Sequence, residues 1–235
     1  IGKACDVSSL EQVQALAEYA LRSFGRLDVW VNNAGVPGPY GPTVHTHPAD
    51  FLAVTNTNIL GAYYGSLVAM QHFLSQGQGK LINILGRGST QSQPMQNAYA
   101  SSKAWIFRFT MALAQEYKSI PGVGVFALNP GMMDTDMLSD IRVVSGYESR
   151  LASLPTVLQI LSKPAARPAQ KAVYLASSRT DGRTGIVLRE MTMRKMLLNA
   201  LREASRRLLN RPGREIDLQI QVIPSAFPPE KADRS

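Results

Sequence analysis

The 235 residues contain a single cysteine, Cys5, which excludes an internal disulfide and points to a reducing, cytoplasmic compartment. Histidine is almost as scarce. Of His45, His47 and His72, only the pair around Thr46 has a carboxylate nearby, Asp50, and no cysteine joins it, so no metal site is expected. No apolar run is long enough to span a bilayer, no signal peptide is visible, and no segment repeats. A G-x-G-x-x-G pattern is also absent, and with it the glycine-rich turn that seats a pyrophosphate on a helix N-terminus.

What is present is enough for a core: 45% hydrophobic and 18% charged residues in a chain of this length suit one α/β domain. The net charge of +8 is uneven, with Arg194, Lys195, Arg202, Arg206, Arg207, Arg211 and Arg214 crowded near the C-terminus. No aromatic residues interleave with them for base stacking. The stretch therefore reads as a solvated helix face or a contact for an acidic partner, and nucleic acid is not expected as a partner.

Hydrophobic spacing orders the rest. Leu10, Val13, Leu16, Ala17, Ala20, Leu21 and Phe24 recur at helical intervals, with Ser8 and Glu11 as a capping box and Gly25 as the C-terminal stop. A buried strand is predicted over 27–31, stopping at Asn32-Asn33-Ala34-Gly35, and a long helix over about 48–75. Strand 80–85, helix 97–118 and strand 123–128 follow, closed by Asn129-Pro130-Gly131. Farther on the pattern predicts a helix over 168–176, a short strand over 184–188, a basic helix over 191–210 ended by Pro212-Gly213, a strand-like alternation of Ile216, Leu218, Ile220 and Val222, and a proline-rich tail from Pro224 draped over the surface or disordered. Alternating strands and helices imply a parallel sheet with helices on both faces, whose ligands bind at the carboxyl ends of the strands. The division expected is a domain over 1–190 and an extension over 191–235.

One pair carries chemistry. Tyr99 and Lys103, four apart on a predicted helix, share a face, and a cation near a phenol lowers a pKa that is ordinarily about 10. The plain alternative is a packed tyrosine beside a solvated lysine stem.

Taken together, Asp6-Val7, Asn32-Asn33-Ala34-Gly35, Asn58-Ile59-Leu60-Gly61, Tyr99 with Lys103, and Pro130-Gly131 followed by Thr135 resemble the short-chain dehydrogenase/reductase family over about residues 1–188. The resemblance implies a Rossmann-like, doubly wound sheet and hydride transfer between NAD or NADP and the carbon of a carbonyl or secondary alcohol. By the same resemblance Tyr99 is the acid or base, Lys103 lowers its pKa and holds ribose hydroxyls, and Asn58 keeps a water in relay with Lys103. The plain alternative for Asn58 is a helix-interior amide bonded to backbone. Asp6 and Val7 would cradle adenine, Asn33, Ala34 and Gly35 would line the adenine-side ribose and pyrophosphate, and Asn32 would tie strands together. Pro130, Gly131, Met133 and Thr135 would cover the carboxamide end of the nicotinamide, unless Thr135 is simply a helix cap. The resemblance also implies a homo-oligomer, since the helices around Asn58 and Tyr99 are long and apolar enough to pair across a two-fold axis as they do in the family.

Two departures from the family pattern stand out. The family's catalytic serine, thirteen residues before the tyrosine, is Gly86 here. Ser89, Thr90, a backbone amide of the Gly-Arg-Gly turn or Arg87 could polarise the carbonyl instead, and Ser89 is the expected substitute. The second departure is that the chain begins near the end of the family's third strand, which predicts a fragment lacking two βα units of roughly 30 residues each. Strand 27–31 then becomes an open edge, and cofactor binding by this chain alone is expected to be feeble. The alternative to an enzyme is a non-catalytic module of the same scaffold used in protein binding. The loop over about 132–164 offers Met132, Met133, Met137, Leu138 and Leu151 as an adaptable lid, which leaves the substrate open. The NAD or NADP preference is open because it rests on charge near the end of the family's second strand, which is not in this chain.

Overall fold

The computed structural model describes residues 1–209 and 217–227. Arg211, Arg214, the Pro212-Gly213 break, Ile216 and the tail beyond 227 lie outside the described residues, as do the side chains of Arg194, Lys195 and Arg207.

Helix α1 (Leu10–Phe24) buries Val13 and Ala17 and ends at Gly25, whose φ of 78° is the left-handed conformation that favours glycine. Its cap differs from the expectation. Ser9, not Ser8, accepts from Gln12 N, because Ser8 turns back and donates through both N and Oγ to Asp6 Oδ1. Strand β1 (Val29–Asn32) leads through a proline- and glycine-rich loop to α2 (Pro48–Val54), a six-residue π-helical turn (Thr55–Leu60) and α3 (Gly61–Gln76). The long helix read from the sequence is thus interrupted at its middle, around Asn58.

Strand β2 (Gly79–Ile84), α4 (Asn97–Glu116) and β3 (Val123–Asn129) follow as expected. Next come α5 (Asp136–Ser139), β4 (Asp140–Val144), α6 (Leu154–Leu161), α7 (Ala166–Ala176) and β5 (Val187–Arg189), then α8 (Met193–Leu208) and β6 (Gln219–Ile223). The predicted strand over 184–188 starts its ladder later, because Gly185 takes a φ of 73° and kinks the chain.

The main sheet is parallel, in the order β1-β2-β3-β5, so β1 is an edge strand hydrogen-bonded to β2 among the described residues. Alternation sends residues to opposite faces. Leu81 and Val125 pack with Ala69, Met70 and Phe73 of α3 and Ala114 of α4, while Ile82, Phe126 and Leu128 pack with Leu175 of α7. This is the doubly wound, Rossmann-like arrangement, with the chemistry-bearing loops at the carboxyl ends of the strands.

Asn32 ties the layers together, as expected. Its Nδ2 donates to Asn83 Oδ1 (2.8 Å), Ser66 Oγ (3.0 Å) and Ala62 O (3.1 Å), and its Oδ1 accepts from Trp30 Nε1 (2.8 Å). A side chain on Gly65 would collide with this amide, so α3 approaches β1 only because residue 65 has none.

A second, two-stranded sheet was not foreseen. Within the expected lid, β4 pairs in parallel with β6, and Tyr40 bridges to Val143 on its other side. Val143 and Val144 are fully buried there. The partners lie about eighty residues apart in sequence, and no local pattern announces such a pairing. The segment after β6 is held down rather than loose, since Ala226 N donates to His45 O and the His45 ring hydrogen-bonds Ser225 Oγ (2.8 Å).

Candidate active site

Helix α4 carries Tyr99 and Lys103 on one face, directed at the loops after β1 and β2. Lys103 is buried and donates to Ile84 O at 3.2 Å, its one hydrogen-bond acceptor among the described residues. Its Nζ lies 5.6 Å from the centroid of the Tyr99 ring. The Tyr99 hydroxyl reaches over Gly86: a Cβ there would collide with Tyr99 Oη and stand 3.2 Å from Lys103 Cγ. Gly86 is therefore the space that the phenol occupies, and a serine side chain does not fit beside Tyr99 in this arrangement.

Burial sets the charges. It pushes the Tyr99 phenol up to about 12 and the Lys103 ammonium down to about 8. The Tyr99 pKa moves up rather than down as its neighbour led one to expect, because burial disfavours the phenolate. At neutral pH the phenol is protonated, the state of a proton donor to an oxygen gaining negative charge.

Asn58 is fully buried in the π-helical turn. Its Oδ1 accepts from Val36 N (2.8 Å), and Nδ2 donates to Val36 O (3.0 Å) and Ser102 Oγ (3.0 Å). Both amide hydrogens are committed to holding the loop after β1 against α4, which matches the plain reading of Asn58 as a backbone-bonded amide. Gly35 backs onto the same point, where an added Cβ would lie 3.2 Å from Asn58 Oδ1 and 3.5 Å from Lys103 Nζ. Asn33 and Ala34 are exposed at the carboxyl end of β1.

Ser89 is buried, its N donates to Gly86 O (3.3 Å), and its hydroxyl bonds to no described residue. Gly88 presses the turn onto Ala100, one residue beyond Tyr99: a Cβ on Gly88 would meet Ala100 Cα at 2.6 Å. Asp6 is exposed, its carboxyl held below the usual range by the Ser8 hydrogen bonds. Val7 packs on Gly61, where an added Cβ would meet Val7 Cγ2 at 2.6 Å, so its side chain belongs to the α1–α3 core.

The segment after β3 joins the site through a residue that sequence reading passed over as part of a turn. Asn129 donates from Nδ2 to Gly86 O (3.3 Å) and accepts at Oδ1 from Gly131 N (3.1 Å), fixing Pro130 and Gly131 beside the Gly86 turn. Met133 forms a bridge with Lys163, and the exposed Thr135 donates to Met133 O (3.4 Å) without capping α5 through its side chain. Ser102, between Tyr99 and Lys103 in sequence, was also missed; it receives Asn58 and donates to Tyr99 O (2.7 Å).

A cavity of about 360 Å³ opens beside Tyr99, walled by Pro39, Phe51, Leu52 and Met95, with Asp50 among its polar groups. Asp50 pairs with Arg142 of β4 at 2.8 Å. Met95 has a φ of 68°, unique among described non-glycine residues, and its carbonyl accepts from Gly41 N (2.8 Å). Such strain persists where the surroundings dictate it, and it clusters at ligand sites.

Among the described residues no group of His, Cys, Asp or Glu could hold a metal, and no helix is long and apolar enough to cross a membrane. His45 is engaged by Ser225, and His47 caps α2 by accepting from Ala49 N (3.2 Å).

Comparison with known proteins identifies the family. Residues 1–144 match the family model described as short chain dehydrogenase. Glucose 1-dehydrogenase 2 of Bacillus subtilis is 30% identical over 184 residues, covering 78% of this chain and 70% of that one. The 4-formylbenzenesulfonate dehydrogenase TsaC1/TsaC2 of Comamonas testosteroni is 31% identical over 140 residues, 60% of this chain and 55% of the relative. The chain thus spans about half the length of that relative. Among solved structures, a single-substitution variant of actinorhodin polyketide ketoreductase with NADPH superposes with a TM-score of 0.71 at 26% identity, covering 80% of this chain and 75% of that one. The 3-ketoacyl-(acyl-carrier-protein) reductase from Brucella melitensis complexed with NADH does so at 0.69 and 26%, covering 82% and 77%. The chain belongs to the short-chain dehydrogenase family.

Proposed function

We propose that this chain forms the proton-transferring and substrate-facing part of an NAD(P)-dependent oxidoreductase that interconverts a carbonyl and a secondary alcohol. The observation that carries the reading is Lys103, a buried ammonium with three donors and a single acceptor among the described residues, set beside the Tyr99 phenol at the carboxyl ends of parallel strands. A buried cation with unused donors is stabilised by a ligand that brings hydroxyl oxygens, as the ribose of a nicotinamide cofactor does.

The residues present fit that cofactor on the nicotinamide side. Lys103 would hold the ribose, and Pro130, Gly131, Met133 and Thr135 would cover the carboxamide, while Gly35 would line the adenine-side ribose and pyrophosphate. Asn33 and Ala34, with the Asp6 carboxylate and the Val7 backbone, would meet the adenine side. The cofactor supplies or accepts the hydride when bound. Tyr99 gives its proton to the carbonyl oxygen in reduction and takes it back in oxidation, with Lys103 holding charge nearby. Asn58 and Ser102 position the Tyr99 helix against the loop after β1. Ser89, buried with an unused hydroxyl next to α4, is the substitute for the serine that Gly86 lacks.

The relatives support this reading through their names, which are those of dehydrogenases, and the solved structures through theirs, which are reductases with NADH or NADPH. They do not favour a non-catalytic module. Pairing of two copies through α3 and α4 belongs to the same reading, supported by exposed Tyr63 packed edge-on to Phe109, itself stacked on Trp105 at 4.7 Å. A cytoplasmic setting rests on the single cysteine.

The test is carbonyl reduction with NADH or NADPH by the protein and its variants. Tyr99→Phe is expected to abolish turnover and Ser89→Ala to lower it by about tenfold or more. Unchanged turnover in Tyr99→Phe overturns the reading, and unchanged turnover in Ser89→Ala removes Ser89 from it. For residues 1–235 alone, calorimetric titration is expected to give weak cofactor binding, since the described residues offer no glycine-rich phosphate turn.

A further inference from the structure

Helix α8 is turned inside out relative to an ordinary surface helix. At 3.6 residues per turn, Leu197, Leu201 and Leu208 fall within about 40° of one another, and an amphipathic helix on a protein surface puts such a stripe into the core. Here the stripe faces solvent: the three leucines are 62%, 57% and 85% exposed, and Ala204 between them is exposed too. The inward side is polar. Asn199, Glu203 and Arg206 are half-buried, Arg206 pairs with Glu203 through Nε (2.8 Å) and Nη2 (2.5 Å), and Asn199 Nδ2 is buried without a hydrogen-bond partner. The helix packs along α6. Leu198 and Leu209 widen the exposed apolar surface, at 48% and 62%.

Charge identifies what covers it. The α8 sequence holds Arg194, Lys195, Arg202, Arg206 and Arg207 against Glu203 as its one acid, and Arg211 and Arg214 follow. Two copies of so basic a helix repel each other when brought face to face, which argues against a second copy of this chain. A bilayer with anionic headgroups satisfies both features, taking leucines among its acyl chains and Lys and Arg among its phosphates. Sixteen residues rise about 24 Å, short of a hydrocarbon core of about 30 Å, and the charges forbid crossing, so the helix lies along the surface.

We propose that α8 docks this protein onto an anionic lipid surface, through the Leu197–Leu201–Leu208 stripe and the net positive charge of the same helix. The experiment is flotation of the full chain with vesicles of phosphatidylcholine alone and with about 30% phosphatidylglycerol added, at low and high salt. Binding is expected only to the anionic vesicles, weakening about tenfold or more at about 0.5 M salt. The triple variant Leu197→Ser, Leu201→Ser and Leu208→Ser keeps every charge and is expected to lose about tenfold or more in partitioning, with an unchanged melting curve because the three side chains are exposed. No flotation of the intact chain overturns the proposal. Flotation that the triple variant retains overturns it as well, since that is the behaviour of any basic protein. If sedimentation velocity shows a dimer that the triple variant dissolves, while vesicles recruit neither protein, the stripe is a self-association surface and the proposal is wrong. Should the variant melt differently, Leu201→Ser and Leu208→Ser are read singly in the same assay, and undiminished flotation of both overturns the proposal.

Discussion

Replacing Gly86 with alanine tests the central claim about this site, that the phenol of Tyr99 fills the space a side chain would need. An alanine Cβ collides with Tyr99 Oη and stands 3.2 Å from both Tyr99 Cζ and Lys103 Cγ. The ring cannot simply retreat, because its helix is pinned by Ser102 to Asn58 and by Lys103 to Ile84 O. Overpacking of this kind costs about 1–3 kcal/mol. Restricting the unfolded chain offsets about 0.4–1 kcal/mol of it, leaving a net loss of about 1–2 kcal/mol. For a chain of this size that lowers the melting temperature by about 2–8 °C. The decisive measurement is a double-mutant cycle in urea. Tyr99→Phe removes the colliding oxygen, so Gly86→Ala in that background should cost at least about 1 kcal/mol less. Additive effects, or a Gly86→Ala protein as stable as the parent, would refute the steric reading and leave Gly86 an unexplained departure from the family pattern.

Two further outcomes follow from buried polar groups. Lys103 titrates lower when folded than unfolded, so the unfolded chain binds the extra proton between pH 8 and about 10.5 and the stability owed to this residue rises across that window. Lys103→Met should therefore stabilise the protein at pH 7 by up to about 3 kcal/mol, with the gain vanishing by about pH 10.5 in denaturation curves; a constant difference would show that burial does not shift the lysine. Tyr99 works in the opposite sense, its contribution being present below pH 10 and lost toward pH 12. Asn32→Leu should cost about 2–4 kcal/mol in the same assay, because it strands Asn83, Ser66 and Trp30 without their shared partner, and a loss below about 1 kcal/mol would mean that water replaces the amide.

The sequence by itself determined the layered α/β fold, the family, and the placing of Tyr99 and Lys103 together, because hydrophobic period and i, i+4 spacing act over a few residues and survive in one dimension. The strand-tying role of Asn32 was legible too, through the family resemblance of the Asn32-Asn33-Ala34-Gly35 run. What only the tertiary structure decided depends on contacts between distant segments. The cap of α1 moved from Ser8 to Ser9 because Asp6 claimed Ser8, and Asn129 joined the site because its amide reaches Gly86 across forty-three residues. The pairing of β4 with β6 closes a loop of about eighty residues, for which the local sequence holds no signal. The Tyr99 pKa went up instead of down because burial is a property of everything packed around the ring. Gly86 is the plainest case. As a letter it was a missing serine, and in three dimensions it is the volume that the Tyr99 hydroxyl fills.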